Sequence, residues 1–209
     1  MALKIRRLVP RLLVAIALTV SVLALSFAQY PVAPGLRNVT VLIVRHAEKP
    51  DVGRGLNARG EQRAVAYADY FTPLKLAGEI LTPQRLIAAG DTAESARSRL
   101  TLTPLAERLQ LPIEQPYDNG DFEQLVKTLR KSNQAHTLLI AWHHGHINKL
   151  IAEFGGDGPA LTGRPKWPDN VYDWLIVLSF DDKGRLIQSQ SQKIQEHLLP
   201  GDLQGASGG

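Results

Sequence analysis

A chain of 209 residues allows one ordinary domain, and 44% hydrophobic with 21% charged residues marks it as globular. Of its 24 Lys and Arg, only Lys4, Arg6, Arg7 and Arg11 fall among the first 28 residues, where no acid occurs. The other 20 balance the 20 Asp and Glu, so the net charge of +4 gives the body no basic footprint for nucleic acid. With no Cys, thiol catalysis, thiolate metal sites and disulfides are excluded.

Taken in chain order, residues 1–28 read as an export signal. MALKIRRLVPR is a positive start, Leu12 to Ala28 is an uncharged apolar run, and Ser26-Phe27-Ala28 sets small residues around a cleavage point after Ala28. The alternative is a retained N-terminal anchor, because the run approaches the length of a short membrane span. With cleavage the expected location is periplasmic or secreted, and membrane-anchored is the alternative, with any membrane contact made through this segment alone. Residues 29–37, with Pro31, Pro34 and Gly35, form a linker, and residues 38–198 form the domain.

Asn38 to Val44 is a strand whose unbroken Val, Leu and Ile content indicates burial on both faces. Asn57 is an N-cap for a helix from Ala58 to Phe71. Arg85 to Ala89 is a weaker strand. A helix covers much of Ser95 to Leu109, with a kink or restart expected at Thr103-Pro104. Another helix begins near Asp121 and runs to Leu129. Thr137 to Trp142 is a second buried strand. Ile147, Leu150, Ile151 and Phe154 make the apolar stripe of a one-sided helix that ends at Gly155. Trp174 to Phe180 is a third apolar strand. The turn Asp181 to Gly184 and residues Leu186 to Ile194 predict an edge hairpin. Residues 199–209 are expected to form a flexible, Gly-rich tail. Alternating strands and helices predict an α/β fold, a three-layer α/β/α sandwich with a mostly parallel central sheet.

Four of the six histidines lie at two strand ends: His46 after Arg45, and His143, His144 and His146 after Trp142. In open α/β sheets ligands bind beyond the carboxyl ends of strands, so two such ends point to one site. No acid lies within His143 to His146, which leaves a zinc-dependent hydrolase built from these imidazoles as one reading. Arg45 against His46 would repel a dication and suits a dianion such as a phosphoryl group. A neutral imidazole can attack phosphorus while guanidinium groups hold the equatorial oxygens.

Arg45-His46-Ala47-Glu48 resembles the Arg-His-Gly-Glu motif of the histidine phosphatase superfamily, in its phosphoglycerate-mutase-like branch. Leu56 to Ala64 resembles the Leu-Thr-x-x-Gly segment that opens the first helix. Ser95 to Thr101, continued by Thr103-Pro104-Leu105-Ala106, resembles the segment carrying a second phosphate-binding arginine four residues before a threonine. Ala141-Trp142-His143-His144 with Ile147 resembles the strand that delivers the second histidine. Trp167-Pro168-Asp169 and Tyr172-Asp173 resemble a late segment of one subgroup. The motifs span residues 38–180 in the family's order.

The resemblance implies a phosphatase that needs no metal or cofactor and acts on a small-molecule or glycan phosphoester. It implies His46 as the nucleophile of a phosphohistidine intermediate. Arg45 and Arg97 clamp the phosphoryl oxygens, with Arg99 as the rival of Arg97. His144 completes the pocket, with His143 and His146 as rivals. If the strand continues through them, His143 and His144 face opposite ways. Asp118, Asp121 and Glu123 fall where a general acid is expected, and Asp121 is the candidate among them. Ala47 departs from the family glycine. Val52 stands where mutase-like members carry asparagine, which weakens a mutase reading. A non-catalytic phosphate-binding member of the same fold is the remaining alternative.

Overall fold

The computed structural model describes residues 35–202, so the expected export segment, most of the linker and the tail from 203 onward lie outside the described residues. Near the middle of the main sheet runs β1 (Thr40–Arg45), every residue from Val41 to Val44 fully buried. Its side chains alternate between two cores. Val41 and Ile43 pack with Leu125, Val126 and Leu129 of α3 (Phe122–Ser132) and with Ile147, Leu150 and Ile151 of α4 (His144–Glu153). Leu42 and Val44 pack with Tyr67 and Ala68 of α1 (Ala58–Tyr70) and with Leu102 and Leu105 of α2 (Arg97–Leu109). Burial on both faces explains why this strand shows no polar alternation.

The sheet also contains β4 (Arg85–Ala88), β5 (Ile113–Glu114), β6 (Thr137–Trp142), β7 (Trp174–Ser179) and β8 (Gln192–Gln195), in the order β5-β4-β6-β1-β7-β8. β1 pairs parallel with β6, and β6 with β4, while β7 is antiparallel to β1. Arg45 stands opposite Trp142, and the His46 amide donates to the Trp142 carbonyl at 2.9 Å. This register carries His46 and His143 out of the sheet side by side.

Local chemistry places the helices as expected. Asn57 accepts from the Gly60 amide at 2.8 Å, an N-cap worth about 1 kcal/mol. A Cβ at Gly60 would lie 2.4 Å from the Glu48 carbonyl, so only glycine lets α1 start against the segment after β1. Pro104 sits inside α2, which continues through it to Leu109 rather than restarting.

Three features differ from the sequence expectation. Two three-residue strands, β2 (Leu74–Leu76) and β3 (Glu79–Leu81), form a small hairpin turning at Ala77-Gly78, both at positive φ. Strands this short show no readable period. The expected edge hairpin is interrupted by a 3-10 turn at Gln188–Gln190, and its pairing resumes only at β8. Residues 199–202, expected to begin a flexible tail, are instead fastened. Asp202 accepts from both Arg59 and Arg63, and Arg59 also donates to the Pro200 carbonyl. A short α5 (Gly158–Thr162) follows α4. Among the described residues no helix is long and apolar enough to cross a membrane.

Candidate active site

Burial of β1 holds Arg45 and His46 rigid at its carboxyl end, at 1% and 2% exposure. The His46 Nδ1 lies 2.8 Å from the Ala47 carbonyl, which fixes Nδ1 as the protonated nitrogen and leaves the lone pair on Nε2. Burial, then the charges of Arg45, His143 and Arg97, pushes this imidazole down to about 3 against the opposing Ala47 hydrogen bond. The ring is therefore neutral at working pH, the state a nucleophile requires.

Arg45 is held without a carboxylate. Its Nη1 lies 3.1, 2.7 and 2.9 Å from the carbonyls of Pro168, Asp169 and Val171, and its guanidinium sits 3.8 Å from the centre of the Tyr172 ring. Burial lowers it to about 10, still charged at neutral pH. Its Nε is buried without a hydrogen-bond partner. The Trp167 indole donates to the Val171 carbonyl at 2.9 Å and fastens the same loop. The Trp167 to Asp173 segment is thus the wall that wraps Arg45.

Arg97 opens α2 and donates to the carbonyls of Gly55 (3.2 Å) and Gly53 (2.7 Å) and to Ser95 Oγ (3.3 Å). Its charge acts on both His46 and His143. The threonine spacing has a direct cause: the Thr101 hydroxyl donates to the Arg97 carbonyl at 2.7 Å and accepts from the Ala47 amide at 2.8 Å. One hydroxyl ties the start of α2 to the nucleophile segment. Arg99, the rival, is held by Asp91.

The histidines after β6 separate. The strand stops at Trp142, His143 occupies the N-cap position of α4, and His144 is its first residue. The alternation expected of a continuing strand does not apply, and both rings approach His46. The ring centres lie 4.9 Å apart for His46 and His143 and 6.5 Å for His46 and His144. Burial, then Arg97 and the neighbouring histidines, lowers His143 to about 4. His143 is therefore the nearer of the two rings to His46, and His144, the second histidine implied by the resemblance, stands beside it. His144 stands farther out, its Nε2 2.8 Å from Asp169 Oδ1.

His146 turns away. Its Nδ1 lies 3.0 Å from the Asn119 carbonyl and its ring packs on Phe122. The three imidazoles therefore do not converge as the zinc reading requires, and among the described residues no cluster of three His, Asp or Glu side chains is grouped to hold a metal.

Asp121, the candidate acid, is exposed at the start of α3, and its side chain makes no capping bond. Among the described residues no hydrogen bond, ion pair or ring contact joins it to His46, His143 or His144. The loop before it reaches the end of β6 through the Asn119 carbonyl, which accepts from the Trp142 indole at 3.1 Å. Val52 is 89% exposed and offers nothing to a phosphoryl group. Asp169 and Tyr172 were not singled out as site residues from sequence, although the segment that carries them was marked by resemblance.

The architecture matches solved structures at low sequence identity. One is the protein histidine phosphatase SixA complexed with tungstate, at 19% identity over 74% of this chain and 96% of that chain, with a TM-score of 0.50. Another is a mutant phosphoserine phosphatase from Entamoeba histolytica in complex with phosphoserine, at 12% identity over 77% and 100%, with a TM-score of 0.50. A third is phosphoglycerate mutase from Plasmodium falciparum, at 14% identity over 77% and 93%, with a TM-score of 0.47. The chain has the histidine phosphatase fold. No protein-family model and no curated protein matches it. Within this fold Arg45, His46, Arg97, His143 and His144 gather beyond the carboxyl ends of β1 and β6, the two strand ends that pointed to one site in the sequence.

Proposed function

We propose that the chain is a phosphomonoesterase that works through a phosphohistidine on His46, without a metal, outside the cytoplasm. One observation carries this reading: a neutral, tautomer-fixed imidazole stands among cations whose partners are uncharged. Arg45 and Arg97 bind backbone oxygens, a hydroxyl and a ring face, so their charge remains available to a dianion. Attack by Nε2 forms the N–P bond as the bond from phosphorus to the ester oxygen breaks and the alcohol leaves with its electron pair and a proton; the two guanidinium groups take the charge on the equatorial oxygens, and water then bonds to phosphorus, returns the N–P pair to His46 and releases phosphate. Fold neighbours solved with tungstate and with phosphoserine are consistent with a ligand that is a phosphoryl-like oxyanion. Export rests on the character of residues 1–28, and it directs the substrate search toward sugar phosphates, envelope glycan phosphates and scavenged organic phosphates.

The displacement of Asp121 from the site favours a second reading, a phosphate-binding member without turnover. Phosphate release from a panel of phosphoesters, with chelator present, separates the two. Turnover by the wild type that persists in chelator and disappears in His46→Ala supports the phosphatase. Absence of release from every ester, including activated aryl phosphates, supports the binding module.

A further inference from the structure

The cationic surroundings of His46 border a cleft of the opposite charge. The cleft measures about 500 Å³ and lies between the Trp167 to Asp173 segment and residues 199–202. Tyr172 lines it, with its ring centre 6.4 Å from that of His46, and so does Glu48, two positions after His46. Asp169 lines it as well. Its Oδ1 lies 2.8 Å from Nε2 of His144, whose ring centre is 6.5 Å from that of His46. Three lining residues are thus also neighbours of the nucleophile or of its arginine. Ligand pockets of about 300–1,000 Å³ take molecules of many atoms, so this cleft has room for far more than a phosphoryl group.

The lining carries four carboxylates, Glu48, Asp169, Asp173 and Asp202, against the guanidinium groups of Arg59 and Arg63. Glu48 and Asp202 are matched by those two arginines. The other two carboxylates are not. Asp173 is 4% exposed, its Oδ2 makes no hydrogen bond, and the His197 ring nitrogen lies 3.9 Å from it. Asp169 is the accessible one, with its side chain 93% exposed. Among the described residues its carboxylate has the His144 imidazole as its polar partner. Burial, then Arg45, lowers that imidazole, against the pull of Asp169, so the ring is neutral above its ordinary value. A neutral ring satisfies one oxygen and leaves the carboxylate charge in place. The backbone beneath is fixed, because the Asp169 carbonyl accepts from Arg45 Nη1 at 2.7 Å. An open, uncancelled carboxylate therefore stands on the segment that the phosphate-binding arginine itself fastens.

We propose that this cleft receives the alcohol portion of the substrate and that Asp169 makes it select alcohols bearing an ammonium group. The assignment rests on the phosphatase reading of the site and narrows its substrate class to aminoalcohol phosphates. Such an ester is a zwitterion that matches both poles of the site. Its phosphoryl dianion meets Arg45 and Arg97, and a short spacer carries its cation to the Asp169 carboxylate. An alcohol bearing a carboxylate would meet Asp169 as a like charge, so the same residue attracts one class and repels another. A neutral alcohol of equal length gains nothing from it. Because the carboxylate is exposed, the pairing is worth about fivefold at most, which sets a preference among esters rather than the rate of bond breaking at His46.

The test measures kcat/KM of the full chain on two esters of equal length, 2-aminoethyl phosphate and propyl phosphate, at about pH 7.5, where the amine is charged and Asp169 ionised. The wild type should favour the aminoethyl ester by about fivefold. Asp169→Asn keeps the size of the side chain and removes its charge, and it should bring the two esters within about twofold of each other. Asp169→Glu keeps the charge and should keep the preference. A residue that only shaped the segment would lower both esters together and leave their ratio at the wild-type value. Equal values on the two esters in the wild type, or a ratio unchanged in Asp169→Asn, overturn the assignment and leave the phosphatase reading standing. Turnover confined to aryl phosphates does the same. Release from no ester, aryl phosphates included, overturns the phosphatase reading and this assignment with it.

Discussion

Two pairs of arginines flank the segment after β1, and they are balanced in opposite ways. Arg59 and Arg63 meet Glu48 and Asp202, and each carboxylate accepts from both guanidinium groups. Arg45 and Arg97 meet backbone carbonyls, a serine hydroxyl and a tyrosine ring. A carboxylate satisfies the donors and cancels the charge. A carbonyl satisfies the donors and leaves the charge in place. The first pair therefore ties α1, the motif segment and residues 199–202 together as structure. The second keeps a positive field beside a neutral nucleophile. Burial alone does not distinguish them, because Arg45 and Arg63 are each 1% exposed; the partner chemistry does.

Removing one member of each pair should break different properties. Arg63→Ala leaves Glu48 and Asp202 buried with half-exposed Arg59 as their remaining guanidinium partner. The expected loss is about 3–5 kcal/mol of stability, read as a melting temperature lower by about 10 °C. Arg97→Ala should keep the melting temperature within about 4 °C and lower kcat/KM by about 10²–10³-fold, the usual effect of deleting one donor to a developing anion. A folded Arg97→Ala protein with undiminished turnover would show that the uncompensated charge is not catalytic.

A smaller effect probes the structural cluster by pH. Burial raises the Glu196 carboxyl to about 8, against the hydrogen bond from Tyr67 and the charge of Arg63. A raised acid contributes its stability at low pH and loses it as pH rises toward the folded value. Between 6.5, above which the lowered histidines contribute no slope, and 8, the wild type should lose up to about 2 kcal/mol. Denaturant titrations of wild type and Glu196→Gln at the two ends of that window check this. The variant should show the smaller change, and an identical slope in both proteins would remove Glu196 from the explanation.

Sequence made the frame legible because β1, β6 and β7 are long apolar runs and because Asn57 and Gly155 mark helix ends. Arg45 and His46 were readable from their place at a buried strand's end, and Arg97 only through the family resemblance, whose phosphate-binding arginine lies four residues before a threonine. Which of His143 and His144 would lie nearer His46 was not readable. It depended on whether β6 runs past Trp142, and the strand stops there, so an expectation of opposite-facing neighbours gave way to two rings near one nucleophile. Asp169 was hidden for a different reason. It reaches His144 only because a loop more than 120 positions from Arg45 in the chain closes on that guanidinium, and no local pattern encodes that closure. Asp121 had the expected interval in sequence, but interval along the chain does not fix which atoms of a loop face the site.

The central claim is that His46 Nε2 bonds to phosphorus. Rapid-quench labelling with an aryl ester carrying radioactive phosphate tests it directly. The expected result is one phosphate per chain, stable in alkali and labile in acid, mapped to His46 and absent from His46→Ala. Turnover without a trapped phosphoenzyme, or label that survives in His46→Ala, would contradict it.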